Sequence, residues 1–163
     1  MPNVLLDTRD CAILDLVQRD ATISQANIAR KVGLSAAAVN ERLKKLRQAG
    51  VIRRFTALVD PMAVGATVTA FVEVFLEHPR FEPAFLAHVL KLDEVLECHH
   101  ITGEFSLLLK VRVADMAALQ ALLLDGLSAR KGVRQTRTVM VLSTAKEDPY
   151  VKPGPAETRH DAH

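Results

Sequence analysis

Between residues 30 and 54 the chain carries Arg30, Lys31, Arg42, Lys44, Lys45, Arg47, Arg53 and Arg54 against a single acid, Glu41. Residues 1–60 hold ten Lys/Arg and six Asp/Glu, whereas the remainder holds eleven and thirteen, so the net charge of +2 conceals a basic patch in one short segment. Such a patch is the electrostatic footprint of a polyanion partner, although a solvated helix face has the same composition. A second constellation is Cys98-His99-His100, whose side chains all ligate zinc or copper. Adjacent strand residues point to opposite faces, so only Cys98 and His100 share a side. Two ligands are too few for a site unless symmetry copies or the tail histidines contribute. No nucleophile with a partnered base, no phosphate-binding Gly loop and no acid/base pair is recognisable, so an enzyme is not expected, and no cofactor is called for.

The basic segment has to be held by the elements around it. Three helical patterns occupy residues 7–50. Asp7 is a good N-cap for the first, which places Ile13, Leu14 and Val17 at helical spacing before Asp20-Ala21-Thr22 interrupts it. The second starts after Ser24, has Ile28 and Val32 four apart, and stops at Gly33. The third is capped by Ser35, buries Val39, Leu43 and Leu46, and ends at Gly50, where a left-handed residue is needed. The short break Val32-Gly33-Leu34, with small Ala29 beneath it, is the signature of a helix-turn-helix whose shared core is Ile28, Val32, Leu34 and Val39. The spacing also occurs in bundles that never touch DNA. The basic cluster lies on and just after the third helix, and this coincidence selects duplex DNA as the partner.

With Val39, Leu43 and Leu46 inward, the third helix turns Ala37, Glu41, Lys44 and Gln48 outward, flanked by Asn40 and Arg47 on one side and Ala38 and Lys45 on the other. A recognition helix offers its N-terminal half to base edges, which makes Ser35, Ala36, Ala37, Asn40, Glu41 and Lys44 the candidate base contacts. Asn pairs with adenine, Glu accepts from cytosine, and alanine methyls touch thymine. Arg42, Lys45, Arg47, Arg53 and Arg54 are placed for phosphates, which give affinity without sequence information. Arg42 has a structural alternative as an ion-pair partner within the three-helix unit, and Glu41 as a plain surface charge.

Residues 51–59 are rich in β-forming types and predict a connecting strand or wing, ended by Asp60-Pro61. A second domain follows: strand 66–76, helix 81–92, strand 95–102, a turn at Gly103-Glu104, strand 105–113, helix 116–127 capped by Asp115, and strand 133–142. This βαββαβ order with short connections predicts an α+β fold, an N-terminal winged helix-turn-helix joined to a C-terminal ferredoxin-like domain with both helices on one sheet face. Phe71 and Phe75 alternate with Val72 and Val74, and Leu108 with Leu107 and Leu109, so the sheet is apolar on both faces. One chain supplies helices for only one face, and a second copy is the economical cover for the other. The expected divisions are 1–60, 61–146 and a polar, proline-rich mobile tail at 147–163.

The length of 163 residues suits one domain or two small ones, and 49% hydrophobic with 25% charged residues is ordinary for a soluble protein. No apolar run approaches the roughly 20 residues of a membrane helix. Residues 1–7 lack the basic and hydrophobic regions of an export signal, and Cys11 and Cys98 have no paired spacing. Both features lead to the expectation of a cytoplasmic protein.

Taken in order, Leu6-Asp7, Ile13-Leu14, Ile28-Ala29, Val32-Gly33-Leu34-Ser35, Val39, Arg42-Leu43, Leu46 and Gly50-Val51-Ile52 resemble the helix-turn-helix of the Lrp/AsnC (feast/famine) transcription regulators. Glu94-Val95, Cys98, Thr102-Gly103, Leu107-Leu108-Leu109-Lys110-Val111, Gly132-Val133 and Thr136-Arg137-Thr138 continue the match, which covers residues 5–146. The resemblance implies a homodimer through the sheet domain, assembly to octamers or discs, and a small-molecule effector, often an amino acid, bound between subunits. It implies effector-binding residues at Thr102, Gly103, Glu104, Phe105 and Ser106, with Thr136 and Thr138. The family usually has Asp where this chain has Ser106, which removes a charge-assisted contact to an ammonium group and leaves Glu104 as a substitute, a different ligand, or none. The alternatives are a metal-responsive regulator using Cys98 and His100, or a catalytic relative of the family.

Overall fold

Asp7 starts the first helix by accepting the backbone N–H of Asp10 at 2.7 Å, and the Asp10 carboxylate returns the bond to the Asp7 N–H at 3.2 Å. This reciprocal cap satisfies two N–H groups that helix geometry would leave without partners. The structure, a computed structural model, describes residues 5–155. Helix α1 (Thr8–Arg19) is followed by α2 (Gln25–Val32), whose Ser24 cap accepts from Asn27 N–H at 3.2 Å. Gly33 ends α2 at φ 67°, a left-handed conformation costly to any residue with a Cβ, and so permits the sharp turn into α3 (Ala36–Gln48). Ser35 caps α3 by accepting from Ala38 N–H at 3.1 Å. Ile13, Val17, Ile28, Ala29 and Val39 are buried together, with Val32, Leu34, Leu43 and Ile52 packed at their edge. Each fully buried Ile or Val contributes about 1.5–3 kcal/mol, so this small core is what holds α3 in place.

The strand expected over 51–59 does not form. Val51 and Ile52 donate back to the Leu46 carbonyl, and no regular element is present from Arg53 to Asp60. A strand needs a neighbour to take its ladder bonds, and among the described residues this stretch has none; Phe55, Leu58 and Val59 are exposed along it.

The second unit contains β1 (Val68–Leu76), α4 (Glu82–Val89, led in by a 3₁₀ turn at Pro79–Phe81), β2 (Val95–His100), β3 (Leu107–Val113), α5 (Met116–Ala121) and β4 (Val133–Met140). All neighbours pair antiparallel in the order β2-β3-β1-β4, the ferredoxin-like topology. Alternate residues Ala70, Val72, Val74 and Leu76 of β1, and Leu107, Leu109, Val111 and Val113 of β3, are buried with Phe85 and Val89 of α4 and Leu119 of α5. The helix read at 116–127 is continuous, but its second half widens to a π-helix over Leu122–Ser128. His88 of α4 donates from Nε2 to the Gly126 carbonyl inside this wider turn at 2.8 Å.

The opposite sheet face is apolar at its floor and bridged by polar side chains. Phe71, Phe75 and Leu108 are half-buried, and Val139, across from Phe71, is half-exposed. Arg112 Nε donates to Thr69 Oγ1 at 3.1 Å, Lys110 pairs with Glu97 at 3.3 Å, and Arg137 pairs with Glu73.

The chain divides into two compact units, Val59–Lys146 and the N-terminal region joined by the stretch from Glu147 onward. Over the part that is described, the stretch expected as a tail makes specific contacts with α1. Tyr150 Oη donates to Asp15 Oδ1 at 2.6 Å, Val151 exchanges two hydrogen bonds with the Gln18 amide at 2.9 and 3.0 Å, and the Arg19 guanidinium lies 4.6 Å from the Tyr150 ring centre. Composition pointed to disorder because the stretch has no apolar periodicity. It makes polar contacts to the exposed side of α1, which periodicity does not register. Residues 156–163 of the expected tail lie outside the described residues. Among the described residues no helix is long and apolar enough to cross a membrane.

Candidate nucleic-acid interface and effector loop

Helix α3 buries Val39 and Leu46, and this fixes which of its side chains meet solvent. Ser35, Ala36, Ala37, Asn40, Glu41, Lys44, Lys45 and Arg47 are exposed on it, and Arg53 and Arg54 are exposed in the segment that follows. The Ser35 oxygen accepts from the helix cap with one lone pair, which leaves its second lone pair and its O–H for any further contact. Among the described residues, no carboxylate pairs with Lys44, Lys45, Arg47, Arg53 or Arg54.

Arg42 is different. Its Nη1 lies 2.6 Å from Asp7 Oδ2 and 2.7 Å from Asp10 Oδ1, and its side chain is 29% exposed. The guanidinium joins α3 to the capped start of α1. The Asp10 N–H and the Arg42 guanidinium together hold the Asp7 carboxyl below the usual aspartate range. Arg42 thus has the structural ion-pair arrangement, and its geometry does not support a free phosphate clamp.

An open groove of about 650 Å³ is lined by Gln25 of α2, by Asn40, Lys44 and Arg47 of α3, and by Arg53. Across it Gln25 Nε2 donates to Asn40 Oδ1 at 3.1 Å. No periodic signal marks Gln25 in the sequence, because one polar residue at a helix start carries none. Its one trace is that it follows the Ser24 cap at the turn that faces α3.

The effector residues implied by resemblance divide in two. The loop Thr102–Ser106 between β2 and β3 is closed by Ile101 N–H donating to the Ser106 carbonyl at 3.1 Å, with Gly103 at φ 116°. Ser106 N–H donates to the Val74 carbonyl at 3.1 Å, which ties the loop to β1. Thr102, Gly103 and Glu104 are exposed, Ser106 is half-buried, and Phe105 is 5% exposed with the Arg137 guanidinium 5.0 Å from its ring centre. Thr136 and Thr138 stand opposite Val74 and Val72 on β1, so they face the helix layer; Thr136 Oγ1 lies 3.3 Å from Ser128 Oγ. Arg137, between them, faces the other way and pairs with Glu73, whose carboxyl it holds below the usual range. Strand alternation therefore brings Arg137 and Glu73 to the loop and keeps the two threonines from it, a sorting that depends on the register of β4.

Cys98 packs at the edge of the sheet core, and burial raises its thiol pKa. His100 Nε2 lies 2.9 Å from Glu82 and His99 Nε2 lies 3.1 Å from Glu97. Among the described residues no three ligating side chains converge.

Comparison with known proteins agrees with this architecture over both units. Residues 6–53 match the winged helix-turn-helix DNA-binding family, and residues 69–151 match the Lrp/AsnC ligand binding domain. The chain is 39% identical over 148 residues to the leucine-responsive regulatory protein of Salmonella typhimurium, covering 90% of each. Its Escherichia coli K12 counterpart is 38% identical over 148 residues with the same coverage. Among solved structures, E. coli AsnC superposes with a TM-score of 0.85 at 30% identity, covering 92% of this chain and 100% of that one. A Neisseria meningitidis transcriptional regulator in complex with L-Met gives 0.84 at 32% identity, covering 90% and 96%. With both domains matched in order across most of its length, the chain belongs to the Lrp/AsnC family of DNA-binding transcriptional regulators, a helix-turn-helix followed by a ligand-binding domain.

Proposed function

We propose that the protein acts as a cytoplasmic dimer or higher homo-oligomer that reads operator DNA with α3 and is tuned by an amino-acid-like effector at the 102–106 loop, with no catalytic step. The observation that carries the DNA reading is the contrast on α3. Arg42 is engaged by two carboxylates, whereas Lys44, Lys45 and Arg47, with Arg53 and Arg54, are left available to phosphates. Asn40, Glu41 and Lys44 have the chemistry to discriminate bases, with Ser35, Ala36 and Ala37 lining the same face. Two recognition helices in a dimer suit half-sites about one helical turn, or a multiple of it, apart.

The half-buried apolar face of the sheet supports self-association, since Phe71, Phe75, Leu108 and Val139 gain cover from a second copy. For the effector, the solved relative bound to L-Met supports an amino acid, and Glu104 offers a carboxylate on the loop where Ser106 offers none. Such a ligand shifts DNA binding only through different affinities for the two arrangements of the heads.

The test is fluorescence-anisotropy titration of the protein against its own upstream region and a scrambled duplex over a salt series. Tight upstream binding that weakens with salt but keeps its preference is expected. Failure to bind either duplex, with and without a panel of L-amino acids led by methionine, overturns the reading.

A further inference from the structure

The first residue of α2 and the fifth of α3 meet through the bond from Gln25 Nε2 to Asn40 Oδ1 at 3.1 Å. Both residues are exposed, so the bond satisfies no buried group and stability alone is a weak reason for it. Its effect is on orientation. An exposed asparagine samples several rotamers and both senses of its amide, and ordering it on binding weakens the complex. Here Gln25 occupies one lone pair of Asn40 Oδ1. The other lone pair and the Asn40 Nδ2 hydrogens are left for an outside partner, with Gln25 Oε1 as a second acceptor. Donor and acceptors side by side complement the major-groove edge of adenine, which offers N7 as acceptor and N6–H₂ as donor. Lys44 and Arg47 share the groove with this pair and supply positive charge around it.

We propose that Gln25 is a positioning residue for base reading: its amide holds Asn40 so that the two side chains address one adenine edge together. This rests on Asn40 being a base reader of α3, and the experiment separates the two claims. Full-length wild type, Asn40→Ala, Gln25→Ala, Gln25→Glu and the double alanine variant are each used to select duplexes from a randomised library. Binding to the wild-type consensus and to its single-base-pair variants is then measured by anisotropy, with thermal melting as a check on folding.

Asn40→Ala is expected to lose preference at one base pair per half-site by roughly tenfold or more. Gln25→Ala loses about 5-fold at that same base pair and at no other, and the double variant is no worse than Asn40→Ala. Gln25→Glu presents only acceptors, so the Asn40 amide turns to donate to it and exposes its carbonyl outward. Preference at that pair then moves toward a donor such as the cytosine N4–H₂, judged as a ratio because the added charge weakens binding to every duplex. If Asn40→Ala keeps every preference, Asn40 reads no base and the inference falls with it. If Asn40→Ala loses the preference but Gln25→Ala keeps it, or weakens consensus and scrambled duplexes equally, the positioning role alone is overturned.

Discussion

Tyr150 and Asp15 stand 135 residues apart in sequence, yet the phenol donates to the Asp15 carboxylate at 2.6 Å while Arg19 lies over its ring. The hydrogen bond to Asp15 is the main reason the phenol pKa lies above its ordinary value. A raised pKa means that the stabilisation is complete below the ordinary tyrosine range and is lost as pH rises through the folded value. The sequence has one tyrosine and no tryptophan, so tyrosinate absorbance reports this residue alone. The alkaline titration of the native protein is expected to midpoint above that of the urea-unfolded chain, and Asp15→Asn to bring the two closer. Coincident native and unfolded midpoints would show that the tail is not docked in solution.

Arg42 predicts a split between stability and DNA binding. Arg42→Ala removes a guanidinium that bridges Asp7 and Asp10, and about 1–2 kcal/mol of stability should be lost in urea unfolding, the more exposed Asp7 partner keeping the figure low. The salt dependence of DNA binding by the folded variant is expected to match wild type. A slope reduced by about one would return Arg42 to the phosphate contacts.

Lys44 and Arg53 separate base from backbone contact. Lys44→Ala should weaken binding to the selected operator more than to random DNA, because it stands on the exposed face of α3. Arg53→Ala should weaken both alike and lower the salt slope by about one. Equal losses on both duplexes for Lys44→Ala would remove it from the base readers.

Acid stability follows from the carboxylates. Asp7 is held below its ordinary pKa by the Asp10 N–H and Arg42, Glu73 by Arg137, and Glu97 by His99 and then Lys110. Depressed values mean that this stabilisation is present above the unfolded pKa and is lost as pH falls through the folded one. Urea midpoints should be flat from pH 7 to about 5 and then fall. Asp7→Asn keeps the cap acceptor but not the charge facing Arg42, and its acid fall should be shallower. An unchanged profile would show that the pair contributes nothing.

His88 tests the π-helical turn. Removing its ring takes a part-buried donor from the Gly126 carbonyl, and His88→Ala should cost about 1 kcal/mol and speed amide exchange over 122–128. Unchanged exchange would mean that packing of Leu122 and Leu127 alone holds the turn.

Local chemistry determined much of this protein from sequence. Caps at Asp7, Ser24 and Ser35, the left-handed Gly33 and the spacing of Ile13, Val17, Ile28 and Val39 act within a few residues, so the helix-turn-helix was legible. The βαββαβ order with short connections likewise announced the ferredoxin-like domain, whereas the alternate burial along β1 and β3 appears only once the helices cover one face. Tertiary structure decided what depends on partners distant in the chain. Arg42 reads as one more cation of a basic helix until Asp7 and Asp10 are folded against it. The register of β4 sends Thr136 and Thr138 toward the helices and Arg137 toward the loop, the tail docks by contacts that carry no hydrophobic period, and Gln25 gains its meaning only across the turn from Asn40. A side chain's type and spacing set what bonds it is able to make; which one it makes is set by the few groups the fold brings within about 3 Å, and that proximity is a property of the whole chain.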